Sequence, residues 1–406
     1  MPGSARATLL GVAVGAATVL PGFLAGSLSL QIRDALDVGL SEVAAGVTVF
    51  FSAGALSAGP LGRVTERVGP LTTMRAATLV TAAALFAIAA FAGSLPVLLA
   101  LLAVAGLANG AAQPAINLYM AEEVRTGRQG LAFGVKQSAI PAAITLSGLA
   151  LPVLALPLGW RATTAICGGI VAAVAVLTAR LRAARGARLA AEDAVVEGPP
   201  PVAPPRLDGS LLLLAVGAAL AAFGPSALSA GLVATAVDAG IAEGEAGVAM
   251  AIGSAASLAV RVALGVRADR RADYGFRTVA LLLGLGALGF ALLASGSRGA
   301  ILGGAFVAFT LGWGWPGLYN LAVVRRYRSG PAAATGITQT GIYVGAATGP
   351  VAFGLLVAAF GFSFAWVAIA AVGLCAALAI ALAQVRFRKA DSGTTTSDAG
   401  AGIRHI

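Results

Sequence analysis

Apolar residues along this chain run in blocks rather than in alternation. Twelve blocks follow one another: 8–30, 42–61, 71–93, 96–119, 131–156, 161–180, 210–235, 246–266, 277–296, 299–322, 334–358 and 362–385. Each is long enough to cross ~30 Å of hydrocarbon as a helix. A span in lipid has to satisfy its own backbone, so the blocks predict helices and not open sheets. The Gly and Pro inside many of them suit membrane helices better than soluble ones. The connecting stretches are mostly short, which sets consecutive helices antiparallel and side by side. The first block is too long for the apolar core of a signal peptide, and eleven more follow it.

One stretch breaks the rhythm. Residues 181–209 open with Arg182, Arg185 and Arg188, turn acidic at Glu192, Asp193 and Glu197, and then run through Pro199-Pro200-Pro201 and Pro204-Pro205. This is the composition of a linker. It predicts a bundle over 1–180, a linker over 181–209 and a second bundle over 210–386. The Ser-, Thr- and Gly-rich residues 387–406 read as a disordered cytoplasmic tail.

The two halves repeat each other. Gly62-Arg63-Val64-Thr65-Glu66-Arg67 returns 203 residues later as Gly265-Val266-Arg267-Ala268-Asp269-Arg270. Gly110, Pro114, Gly134 and Gln137 return 202 residues later as Gly312, Pro316, Gly336 and Gln339. Internal repeats of membrane helices mark carriers that hold a substrate between two halves.

Charge refines this picture. Charged residues make up 11% of the chain, against about 25% in soluble domains, and the mean hydropathy is +0.91. The net charge of +10 is not a nucleic-acid footprint. With the amino terminus inside, 22 of the 27 Lys and Arg fall in inner loops and tails, and Arg33, Arg161 and Arg298 alone lie outside. That bias places both termini in the cytoplasm of a cell carrying the protein in its plasma membrane. Cys167 and Cys375 lie on separate spans and offer neither a disulfide framework nor a metal site. The single histidine, His405, lies in the tail. No Ser-His-Asp set and no G-x-x-x-x-G-K-[ST] loop occurs, so neither an enzyme, a cofactor nor an ATP-driven pump is expected.

The layout resembles the major facilitator superfamily over roughly residues 8–386. The most specific carrier of the resemblance is the loop after the second span, where the family pattern is G-x-L-a-D-r-x-G. Here it stands as Gly62 to Gly69 with Glu66 at the acidic position, and the copy at Gly265–Arg270 keeps Asp269. The resemblance implies an all-α fold of twelve transmembrane helices in two pseudo-symmetric six-helix bundles. It also implies that Glu66, Arg67, Asp269 and Arg270 help latch the cytoplasmic ends. A carboxylate gains from the dipole of a helix that starts on the opposite bundle. In the family's fold, spans one, four, seven and ten line the cavity.

Span four brings Asn109, Gln113 and Asn117, one helical face at i, i+4 and i+8. Span ten brings Trp315 and Tyr319 at the repeat-equivalent positions, with Asn320 beside them. Gln137 and Gln339 are a repeated pair. Two cations lie within spans, Lys136 in span five and Arg261 in span eight, and neither is repeated: their counterparts are Thr338 and Ala58. Intramembrane charge is costly and marks function by default, though both sit near the cytoplasmic ends, where snorkelling or a gate contact also fits. Arg261-Val262-Ala263-Leu264-Gly265 is similar to the R-x-x-x-G of monocarboxylate and oxalate carriers, with Ser257 where the former usually have an acid. On span eleven, Gly341, Gly345 and Gly349 recur every four positions, a pattern for close helix approach.

The chain therefore reads as a secondary active transporter working by alternating access. Its favoured cargo is a small organic anion bound by Lys136 and Arg261, with Gln113, Asn117, Gln137, Trp315, Tyr319, Asn320 and Gln339 shaping the site. Efflux of a hydrophobic drug or metabolite is the alternative, and a non-transporting receptor is the reading from another class. The expected partners are the small-molecule substrate and the lipid bilayer, with no nucleic acid, and a monomer is favoured. Coupling is expected either through a co-transported proton carried by Lys136 or through substrate exchange.

Overall fold

The computed structural model describes residues 3–38, 40–191, 208–271 and 275–401. Every regular element among them is helical. The spans are α1 (Gly3–Ser27), α2 (Leu40–Val68), α3 (Pro70–Phe91) and α4 (Leu95–Glu123). Next comes α5, made of Gln129–Lys136, Ala139–Ala150 and a wide turn at Leu151–Ala155. After α6 (160–191) follow α7 (Gly209–Asp238), α8 (Glu243–Arg270) and α9 (Phe276–Leu293). The discontinuous α10 consists of Arg298–Val307, a wide turn at Ala308–Gly312 and Pro316–Arg326. The chain ends in α11 (331–360) and α12 (362–401).

Among the described residues, ten helical stretches are long and apolar enough to cross a membrane. One of the ten, Pro331–Lys389, holds two spans that part at Gly361 (φ 83°, ψ 172°). The twelfth is α5, whose breaks leave no single long helix. Gly159 (φ 80°, ψ 161°) separates α5 from α6 in the same way. Both turns use the positive φ that glycine alone adopts without a steric penalty.

Several local choices explain the helices. Asp208 caps α7 by accepting from the Leu211 N–H at 2.7 Å. Proline stands in the first turn of α3, α4 and the second part of α10. Buried threonine hydroxyls are satisfied within their own helices, as Thr81 on Ala77 O (2.8 Å), Thr164 on Trp160 O (2.7 Å) and Thr235 on Gly231 O (2.8 Å). Outward-facing positions are large and apolar, among them Leu56, Phe91, Leu156, Leu355 and Phe360. That outer surface suits lipid and not water.

The glycine pattern of α11 meets α7. A Cβ at Gly341, Gly345 or Gly349 would fall on the carbonyls of Ala215, Ala219 and Phe223 respectively. These two backbones are in direct contact along two turns.

The cores show how the bundles sit. At the end that carries α1 C-terminal and α4 N-terminal residues, one cluster around Leu24, Leu85, Leu102 and Val171 belongs to the first half. A separate one around Leu232, Phe290, Phe309 and Trp366 belongs to the second. At the opposite end a single cluster draws on both halves, joining Ile116, Met120 and Phe133 with Leu264, Trp315 and Leu318. The bundles thus share one core at one end, the fused end, and keep separate cores at the other.

Two boundaries differ from the sequence reading. Helix α6 runs on to Ala191, eleven residues into the expected linker, and 192–207 of that linker lie outside the described residues. The expected disordered tail is helical as far as Ala401, and 402–406 lie outside the described residues. Neither 182–191 nor 387–401 contains a proline, so nothing in the backbone chemistry stops a helix that is already nucleated.

Candidate functional site

The two repeated loops lie at the fused end, and both carboxylates cross to the other bundle. Glu66, at the end of α2, accepts from the Ala332 and Ala333 N–H groups at 2.7 and 3.1 Å. Asp269, at the end of α8, accepts from Gly130 N–H at 2.6 Å and Leu131 N–H at 2.9 Å. In each case a carboxylate meets otherwise unpaired amides in the first turn of a helix. The glycines of the loops allow the approach: a Cβ at Gly62 would meet the Ala332 carbonyl, and one at Gly265 the Gly130 carbonyl. Arg67 and Arg270 are exposed and join neither contact among the described residues. Arg325 of α10 joins the Asp269 contact instead, with Nη2 3.8 Å from Asp269 Oδ1 and Nη1 donating to Ala268 O at 3.2 Å. Arg67 and Arg270 lie in the last turns of their helices.

Lys136 is 3% exposed. It ends the first piece of α5, and its Nζ donates to Gln113 Oε1 at 2.8 Å and Asn117 Oδ1 at 3.2 Å on α4. Three predicted residues therefore converge. The Nδ2 of Asn117 is buried without an acceptor among the described residues.

Arg261 is 5% exposed and connects the halves. Its Nε donates to Trp313 O at 3.1 Å and its Nη1 to Gln137 O at 3.5 Å. Its guanidinium carbon stands 5.5 Å from the Trp313 ring centroid. Both carbonyls are freed by helix breaks. Gln137 O has no intrahelical donor because residue 141 is proline. Trp313 lies in the unwound stretch between the two parts of α10. Gln137 thus contributes its backbone to this contact, next in sequence to Lys136.

Of the expected aromatic wall, Tyr319 is turned into the second bundle. Trp315 and Tyr319 pack edge to face at 5.3 Å and are almost fully buried. The Tyr319 hydroxyl donates to Leu214 O of α7 at 2.8 Å, and its ring meets Phe276 of α9 at 6.0 Å. Tyr319 is therefore tied into the second bundle and is not brought to Lys136. Trp315 Nε1 and Asn320 Oδ1 are buried without partners among the described residues. Gln339 is buried on α11.

One contact went unread in the sequence. Asn109 Nδ2 donates to the Tyr343 hydroxyl at 2.8 Å, and Thr18 Oγ1 lies 3.3 Å from Asn109 Oδ1. Tyr343 follows Gln339 by one helical turn, so that spacing was the available signal. Away from all these residues, a cavity of about 470 Å³ opens between α8 and α10 at the far end, lined by Val248, Ile252, Leu302 and Phe306 under the Glu245–Arg298 ion pair.

Comparisons with known proteins agree with this architecture. Residues 10–330 match the family model of the Major Facilitator Superfamily. No curated protein sequence matches significantly. Among solved structures, the human organic anion transporter MFSD10 (TETRAN) is 16% identical with a TM-score of 0.70, over 94% of this chain and 100% of that one. FucP in an outward conformation is 13% identical with a TM-score of 0.67, over 93% and 98%. The proton:xylose symporter XylE bound to 6-bromo-6-deoxy-D-glucose is 16% identical with a TM-score of 0.70, over 93% and 94%. At these identities the structures share the fold and carry no statement about cargo. The family model spans well over half of the chain, and the chain belongs to the major facilitator superfamily of membrane transporters.

Proposed function

We propose that this transporter is secondary active and moves a small organic anion by rocking the 1–180 bundle against the 210–386 bundle. The observation that carries the reading is Lys136. It is a buried ammonium held by two neutral amide oxygens, Gln113 Oε1 and Asn117 Oδ1, and by no carboxylate among the described residues. A buried charge without a counter-ion is expensive and is retained where an opposite charge visits. The paired contacts of Glu66 and Asp269 serve as the gate of the fused end. The positive-inside bias makes that end cytoplasmic, in the plasma membrane, with both termini inside.

The test is counterflow in proteoliposomes across a panel of labelled organic anions, cations and neutral solutes. An anion should exchange in the wild type, and Lys136→Ala should abolish the exchange while the protein still elutes as a single folded species. Exchange of neutral or cationic hydrophobic solutes alone, with every anion inert, would overturn the reading.

A further inference from the structure

Building on that anion reading, we infer that the substrate is a dianion of the short dicarboxylate class, with one charge meeting Lys136 and the other Arg261. Both cations are buried, at 3% and 5% exposure. Neither forms an ion pair among the described residues. Their acceptors are four neutral oxygens: the side-chain amides of Gln113 and Asn117 for Lys136, and the main-chain carbonyls of Gln137 and Trp313 for Arg261.

The two cations are neighbours through the chain. Arg261 binds the carbonyl of Gln137, the residue that follows Lys136, so both charges flank one helix break. They point to different sides of it. Lys136 reaches α4, and Arg261 spans from α5 to the unwound part of α10. Two positive charges with no negative partner repel each other in a low-dielectric core, and one monoanion leaves half of that charge uncompensated. A molecule with a carboxylate at each end neutralises both.

Donor capacity points the same way. An ammonium carries three N–H donors and a guanidinium five, and each cation here uses two. Asn117 Nδ2 adds another buried donor without an acceptor. Carboxylates are acceptor-only groups that take bidentate contacts from guanidinium, which fits this surplus.

The experiment is calorimetric titration of the purified wild type with malonate, succinate and glutarate, each beside its own monomethyl ester. The ester keeps length and shape and removes one charge. At least one diacid should bind about tenfold or more tightly than its half-ester, as expected for a close charge pair. In Arg261→Gln or Lys136→Gln the gap should close. Half-esters that bind as tightly as the diacids in the wild type would overturn the dianion and leave the anion reading standing. If neither diacids nor half-esters bind, the dicarboxylate falls, and the counterflow panel decides the broader anion reading. The wild-type comparison decides the matter even where a variant does not fold.

Discussion

Glu66 and Asp269 stand 203 residues apart and make the same contact in opposite directions. Glu66 of the first half takes the amides of Ala332 and Ala333, and Asp269 of the second half takes those of Gly130 and Leu131. The amide pairs are themselves 202 residues apart, so the repeat in the sequence is a repeat in the geometry. Each carboxylate sits where a helix dipole favours negative charge, a contact worth up to ~2 kcal/mol when partly buried. Glu66→Gln and Asp269→Asn should each shift the balance of open and closed fused ends by about tenfold and slow turnover, with the protein still folded and inserted. Spin-label distances across that end, together with transport rates, check this. Unchanged distances and rates in both variants would remove the gate from the mechanism.

Arg325 is the cation of the Asp269 contact, at 3.8 Å and partly exposed. A partly exposed pair at that distance contributes at most about 1 kcal/mol. Arg325→Gln should therefore slow turnover less than Asp269→Asn does, and Arg67→Gln and Arg270→Gln less still. Rates measured side by side in proteoliposomes give the ranking. An Arg270→Gln defect as deep as that of Asp269→Asn would contradict it.

Tyr343→Phe leaves the Asn109 Nδ2 donor buried with its partner gone. An orphaned buried donor costs about 1–3 kcal/mol. The variant should unfold at a lower temperature in detergent. The double variant Asn109→Leu/Tyr343→Phe should recover much of the loss, because both polar partners are then replaced. If the double variant is less stable than the single one by the full cost again, the two residues do not act as a pair.

Gly345→Ala would drive a methyl group into the Ala219 carbonyl of α7, with no flexible side chain to yield. Overpacking of this kind costs about 1–3 kcal/mol or more. Gly354→Ala, where nothing lies within 4 Å, should be close to neutral on the same thermal scale. Equal melting temperatures for the two variants would mean that the α7–α11 contact is looser than the structure has it.

Arg261→Lys keeps the charge but not the reach. A lysine offers one point of contact where the guanidinium spans Gln137 O and Trp313 O. Binding of every anionic ligand found should weaken, and the melting temperature should fall. A lysine variant with wild-type affinity and stability would make the charge alone sufficient.

Hydropathy was a good guide to where helices run, because the length needed to cross hydrocarbon is fixed and the residues that manage it are few. It is blind to rotation and to breaks. Span ten lines the cavity in the resembled fold, which puts Trp315 and Tyr319, the repeat partners of Gln113 and Asn117, at its wall, yet an aromatic ring satisfies a bundle interior as well as a cavity wall. The hydroxyl of Tyr319 found Leu214 O inside its own half. The break after Lys136 was readable in principle, since Pro141 denies Gln137 its intrahelical donor. The partner of that freed carbonyl was not, because Arg261 reaches it from the other half of the chain, 124 residues away. Separation in sequence also hides Asn109 from Tyr343, 234 residues on, and Arg325 from Asp269.

The seam at the fused end is built largely where backbones touch: Gly62 on Ala332, Gly130 on Gly265, Gly134 on Arg261 and Gly336 on Ala58. Parting such a seam uncovers peptide groups, which water hydrates readily, alongside the bulky side chains of the shared core around Met120, Phe133 and Trp315. Closure that relied on interlocked leucines would be strong and slow to undo. Here part of the closure rests on backbone contacts that tolerate both a dry and a hydrated condition, which lowers the cost of parting them.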